Sequence, residues 1–418
     1  LISGLFAQEE HTFDLSEIEK KPFQINGYLE FRPVLFGLDR DSPLYKLKFY
    51  DLEEGKAIPE YNFNGLLDAS YEKGIFRAKI RTNTDITKTY SGWSHNTTLF
   101  EALISLKPSL SFHFDIGKKR MKWGKGYAWN PVAFIDRPKN PNDPELALEG
   151  YVVLSMDYIK SFPGKLKTIT ITPFLLPVDE HINSTFGKPN QLHFGGKIYF
   201  LFYDTDIDVM FLSGGSVPAR YGMDFSRNIT SNLEIHGEFA YIPEYSKKVL
   251  ENDGSVHEEK YPSTNYLLGI RFLTKTNTTF FLEYLKNGNG YTSNELENFY
   301  ALIDQAYRSY LLSGDDSQLK FLSGAASQGY RTFAPMQHYL YLRISQKEPW
   351  NILYFIPSIT TICNLTDKSF SLTPELLYNP ITNLELRAKM TLLLGKKGSE
   401  FGEKQNDFRL EFRARYYF

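Results

Sequence analysis

The sequence predicts an all-β chain: a transmembrane up-and-down antiparallel barrel of about eighteen strands, with long loops gathered on one side. Three observations carry this. Apolar and polar residues alternate with period two along most of the chain, which sends successive side chains to opposite faces of a strand. Aromatics make up 16% of the 418 residues, with Tyr 28 and Phe 33. Yet the mean hydropathy is -0.35, and no apolar run is long enough for a membrane helix. Strands that are apolar on one face give this combination. Finally, short turns alternate with long links, a sorting that a soluble all-β protein has no reason to show.

The last segment shows the alternation. Phe408, Leu410, Phe412, Ala414, Tyr416 and Phe418 fall on one face, and Arg409, Glu411, Arg413, Arg415 and Tyr417 on the other. The same pattern places strands near 22–37, 60–72, 74–85, 97–107, 109–118, 150–162, 166–177, 191–202, 205–213, 218–228, 231–243, 263–274, 276–287, 336–346, 352–363, 369–378, 383–395 and 406–418. Each reaches the length a tilted membrane strand needs, about 9–11 residues. Short links such as Glu72 to Gly74, Phe162 to Gly164 and Tyr203–Asp204 alternate with longer ones at 38–59, 86–96, 119–149, 178–190, 244–262 and 288–335. Two late links and the one at Ser213 to Gly215 are shorter than this rule wants. Residues 22–418 therefore read as one barrel. Residues 1–21 read as a signal-peptide remnant and N-terminal segment, with small Ala7 before an acidic start. In the longest link, Leu296, Phe299, Tyr300, Ile303, Ala306, Tyr307, Tyr310 and Leu311 recur at helical spacing. That helix is expected either to plug the barrel or to lie on its rim.

Two short segments resemble known families. The terminal Phe418, after Tyr416 and Tyr417, resembles the C-terminal insertion signal of bacterial outer-membrane barrels. That resemblance implies the outer membrane as location, its lipid as surroundings and the barrel-assembly machinery as a partner. Residues 117–150 contain Trp123, Gly124, Gly126, Trp129, Asn130 and Pro131. They resemble the W-G-x-G-x-x-x-N-P loop of porin-like families, which implies a loop folded back into the lumen as a constriction. The bland alternative is a loop packed over the rim.

The inward charges segregate. Arg32, Arg77, Lys79, Arg81, Arg387, Lys389, Arg409, Arg413 and Arg415 fall on the first, third and last two strands, diluted by Glu30, Glu385 and Glu411. Asp206, Asp208, Asp224, Glu234 and Glu238 fall on the ninth to eleventh strands, with Arg220 as an exception. In a cylinder of eighteen strands these groups face each other, and a transverse field would filter ions and orient dipolar solutes. Local pairing of charges is the alternative.

Other classes fare poorly. A net charge of -2 leaves no basic excess for nucleic acid. Cys363 is the single cysteine, so no haem attachment or cysteine-based zinc motif exists, and no cofactor or metal is expected. His113, His193 and His236 could face the lumen, but no catalytic motif accompanies them and no enzyme is expected. The expectation is an outer-membrane channel for small hydrophilic or charged solutes. The alternatives are an exporter of an anionic polysaccharide, or a sheath for a periplasmic multihaem partner. A homo-oligomer stays open.

Overall fold

The computed structural model describes residues 22–52 and 55–418. The expected leader within 1–21 lies outside the described residues. Eighteen antiparallel strands follow one another around a closed barrel. They are β1 Phe23–Leu38, β2 Ala57–Lys73, β3 Phe76–Thr89, β4 Gly92–Leu106, β5 Phe112–Lys119, β6 Tyr151–Ser161, β7 Leu166–Val178, β8 Gln191–Phe202 and β9 Thr205–Leu212. The second half is β10 Arg220–Thr230, β11 Leu233–Leu250, β12 Val256–Leu273, β13 Thr278–Lys286, β14 His338–Gln346, β15 Phe355–Asn364, β16 Ser369–Ile381, β17 Leu384–Leu394 and β18 Asn406–Tyr417. Every strand expected from the alternation is present, with most ends shifted by a few residues and those of two hairpins by more.

Two expected loops turn out to be hairpin ends. β3 and β4 continue to Thr89 and Gly92, and β11 and β12 continue to Leu250 and Val256, in unbroken antiparallel register at their tips. These ends carry Thr84, Thr87, Asn96 and Thr97, or Lys247, Lys248, Glu258 and Glu259. With polar residues on both faces the period-two signal fades, while the backbone ladder needs no apolar side chain to continue.

The outer face carries large apolar side chains all round, among them Leu29, Phe63, Phe194, Phe211, Leu268 and Phe412, all exposed. A belt of that size would aggregate in water; hydrocarbon is its proper solvent. This is an outer-membrane-type barrel. Barrels of this type keep their short turns on the periplasmic side, which puts the links beyond β1, β5, β13 and β17 at the outer mouth.

The seam between β1 and β18 closes the cylinder. Gly27 and Phe418 exchange both backbone hydrogen bonds, at 3.0 and 3.1 Å. The Phe418 ring lies over Gly27, where an added Cβ would meet Cζ at 2.6 Å. Ten residues along both strands the device repeats, with the Phe408 ring lying over Gly37. A ring over a glycine recovers apolar burial that the missing side chain forfeits. Because a slip in register would set rings on side chains, the two seats fix how the barrel closes.

The buried core lies inside the cylinder. Helices α1 Pro43–Phe49, α2 Ser293–Ser313 and α3 Ser317–Ala325 roof the outer mouth. α2 starts at a capping box of Thr292 and Glu295 and stops at Gly314, which takes the left-handed φ of 74°. Its buried face is Leu296, Phe299, Tyr300, Ile303 and Ala306, while Leu311 is left exposed. Lys46 of α1 pairs with Asp304 of α2 at 2.7 Å. From this roof one apolar cluster runs down to Ala128 and Trp129 of the 120–150 link. Helix and loop thus pack one side of the lumen together.

The seam predicts a loss of assembly. Phe418→Asp and Gly27→Leu should each cut the amount of heat-modifiable barrel in the outer-membrane fraction severalfold, while Tyr417→Phe, on the inner face, should not. Normal yield of the first two variants would show that the seats do not set closure.

Candidate functional site

The 120–150 link leaves β5 and crosses the lumen at about mid-height. Its first turn is built on Asp136, which accepts the N–H groups of Met121 and Trp123, both at 2.9 Å. Gly124 then takes φ 93°, and a Cβ there would sit 2.6 Å from Asn130 Nδ2 and 2.7 Å from Glu238 Oε1. Glycine is needed for both reasons. Past it, the N–H groups of Lys125 and Gly126 donate to Glu238 Oε1 of β11 at 2.7 and 2.6 Å. Asn130 Nδ2 joins at 3.0 Å, and the Val132 N–H reaches Oε2 at 3.2 Å. One wall carboxylate thus gathers four loop donors. Glu283 of β13 does the same with the N–H groups of Tyr127 and of Ala128, the latter at 2.9 Å. His236 Nε2 lies 3.0 Å from Glu283 and backs it from β11.

The W-G-x-G-x-x-x-N-P pattern now has a physical reading. Its glycines let the backbone close on a carboxylate, and its asparagine completes the ring of donors. Trp123 packs edge-on to Phe134 and Phe174, and Trp129 packs against Tyr339 and Tyr341. Pro131 lines a cavity beside them.

Past its middle the loop reaches the opposite wall. Asp143 binds Arg413 of β18 at 2.6 Å and lies 3.8 Å from Arg387 of β17. The Asn142 carbonyl accepts from Lys389 at 2.5 Å. Burial would raise the Asp143 carboxyl, but Arg413, Lys389 and Arg387 outweigh it and hold it below the ordinary carboxylate range. The loop is therefore strapped to both walls.

The remaining charges pair within each wall. Lys79 and Arg81 of β3 meet Glu101 of β4 at 2.6 and 3.0 Å, and Arg81 also binds Asp68 of β2. Arg415 meets Glu30 at 2.6 Å, Arg409 meets Glu411 at 2.5 Å, and Arg32 lies 3.7 Å from Glu30. Arg77 shares their inward face, opposite Ser105 of β4. On the other wall, Asp208 lies between Lys125 at 2.9 Å and Lys197 at 3.3 Å, and Asp206 accepts the Tyr199 hydroxyl. Asp224 stands across from both Asp208 and Glu238. Glu234 lies 3.8 Å from Arg271. Tyr416 and Phe418 point outward at the seam.

The two walls differ in their access to water. Side chains of Arg32, Arg81 and Arg409 keep 26%, 28% and 33% exposure toward the interior. Asp208 and Asp224 keep 2% and 0%. Arg413, Lys389 and Arg387, which the loop engages, are closed off as well, so the wet part of the basic wall is the stretch of Arg32, Arg81 and Arg409 that the loop leaves uncovered.

Several site residues were not singled out by sequence. Asp68 and Glu101 neutralise part of the basic wall, and Phe100 bulges out of register beside Glu101, which interrupts the alternation there. Asp143 sits in a stretch without periodicity. Glu283, a lone acid inside Phe280 to Tyr284, was the readable signal.

No protein-family model matches the chain, and no curated protein matches it. Solved structures do. OpdQ of Pseudomonas aeruginosa matches with a TM-score of 0.54 at 9% identity, over 95% of this chain and 97% of its own. OccK11 (OpdR) of the same organism gives 0.52 at 11%, over 96% and 98%. OccAB3 of Acinetobacter baumannii gives 0.50 at 8%, over 95% and 99%. At such identities the likeness is one of fold.

The strap makes a specific prediction. Removing the Glu238 acceptor orphans donors that cost about 1–3 kcal/mol each if they stay buried. Glu238→Ala combined with Glu283→Ala should free the loop, so that trypsin cuts the intact barrel after Lys125 and Lys139 while the wild type resists. Equal resistance would contradict the strap. The depressed Asp143 carboxyl adds a sign: its link contributes fully above the unfolded value of about 3.9 and is lost as pH falls through the lower folded value. Mild acid near pH 5 should therefore leave the Asp143 link to Arg413 in place.

Proposed function

We propose that this barrel is an outer-membrane channel for small hydrophilic solutes, preferring anions, with the 120–150 loop as its constriction. The observation that carries the reading is the divided lumen. One half is packed by a loop strapped across it, and the other half keeps a column of wet arginines on β1, β3 and β18. A strapped, folded-in loop narrows a barrel without closing it, as a size filter requires. The arginines, although paired, present their outer N–H groups to the passage, where an anion can replace water. An anionic polymer would use the same column, but the helical roof spans the mouth through which a chain would thread. A sheath around a haem protein needs an empty lumen, and this one holds its own loop.

Conductance of purified protein in planar bilayers tests the reading. The wild type should conduct, with a reversal potential in a salt gradient on the anion side. Changing Arg77, Arg81 and Arg409 together to Gln, none of which touches the loop, should move it toward cations. The shift should shrink as salt rises, because the screening length falls from about 10 Å at 0.1 M to about 3 Å at 1 M. A silent wild type would overturn the channel. A conducting variant with unchanged selectivity would overturn the role of the arginine column.

A further inference from the structure

A cavity of 710 Å³ lies on the packed side, above the strap and below the roof, away from the arginine column. Its floor is the loop from Trp129 to Lys139, its wall is β10 to β13, and its lid is the segment 329–335. Two of the cations that line it, Arg220 and Lys139, make no direct ion pair. Arg220, the inward exception on the acidic side, makes one hydrogen bond, of 3.5 Å, to the Phe134 carbonyl, and its Nε has no partner. Lys139 donates to the carbonyls of Gly126 and Tyr127, at 2.6 and 3.2 Å. Among the described residues no carboxylate forms an ion pair with either. Most inward cations nearby, such as Lys125, Lys197 and Lys247, stand against acids.

Asp136, the carboxylate in the lining, is occupied by the N–H groups of Met121 and Trp123, and two asparagines keep donors free. Asn265 gives its carbonyl oxygen to the Gly288 N–H at 2.9 Å, and Asn289 gives its own to Ser263 at 2.7 Å. Among the described residues neither amide nitrogen has an acceptor. Trp129 and Tyr245 add flat apolar faces. A buried guanidinium without an anion is costly, and donors converging on an apolar-sided cavity fit an oxyanion joined to a ring. The volume is in the range of small-molecule sites and exceeds what a bare inorganic ion fills.

We propose that this cavity binds a ring-bearing oxyanion, and that the bound anion fastens the loop to the β10 wall by bridging Lys139 and Arg220. It is a site that sets the loop, separate from the path of permeating solutes. The proposal rests on the strap and the cavity, and it stands whether or not the barrel conducts.

The test is hydrogen exchange of the 129–139 segment in the intact purified barrel at constant ionic strength. The probes are phenyl phosphate, inorganic phosphate and phenol, with chloride as the reference. Phenyl phosphate should slow exchange by roughly tenfold, the effect of one added charge-assisted hydrogen bond. Inorganic phosphate should act more weakly and phenol not at all. Protection should vanish in Lys139→Met, a loop change that leaves the strands intact, and in Arg220→Met. It should persist in Arg77→Met, on the arginine column. Protection by phenol equal to that by phenyl phosphate, no protection by either anion, or protection that survives both Lys139→Met and Arg220→Met would overturn the site. Loss of the effect in Arg77→Met would move the anion to the opposite wall and equally overturn it. Bilayer conductance judges the channel reading separately.

Discussion

Backbone N–H groups of a loop, closed around the carboxylates of Glu238 and Glu283, are the contact on which the interior of this barrel depends. A barrel interior has no hydrophobic reason to hold a polar loop in place, because water would satisfy the same groups. A buried carboxylate changes the balance. It needs several donors, and an irregular backbone with two glycines can supply them where a strand cannot. Once seated, the loop brings Trp123 and Trp129 against the wall and roof. Burial of those rings then adds about 1.5–3 kcal/mol for each large side chain.

The strap also gives the charged walls a structural purpose. A like-signed row of Asp208, Asp224 and Glu238 on adjacent strands would repel itself in an empty lumen. Lys125 and the loop amides supply the compensating positive ends, and Asp143 does the converse for Arg413 and Arg387. The segregation of charge seen along the chain is thus in large part the imprint of one loop on two walls. What the loop does not cover is the column of Arg32, Arg81 and Arg409, and there the lumen stays accessible to water.

How much of this could be read beforehand follows from the physics of each part. Strands were legible wherever one face meets hydrocarbon, since lipid enforces strict alternation. They were illegible at the tips of β3–β4 and β11–β12, where polar residues break the alternation and, at the end of β11, Lys247, Val249 and Leu250 are buried against the roof. The α2 helix was legible through its apolar spacing, and Gly124 and Gly126 marked an unusual backbone. The acceptor that explains those glycines was among the acidic-wall residues, but nothing in the sequence joins Glu238 to a loop more than a hundred positions earlier. The bond of Asp143 to Arg413 depended on closure and the pairing of Arg81 with Glu101 on a bulge, neither of which leaves a periodic trace.

The strap is tested most directly by amide hydrogen exchange of the unliganded wild-type barrel. If the N–H groups of Lys125, Gly126, Tyr127, Ala128 and Val132 are bonded to wall carboxylates, peptides covering 123–134 should exchange as slowly as those from the membrane strands. The 251–255 turn provides a fast internal reference. Slow exchange of the loop in the wild type, turning fast when Glu238 and Glu283 are both changed to Ala, is the predicted result. Exchange of 123–134 as fast as that of 251–255 in the wild type would contradict the account at its base.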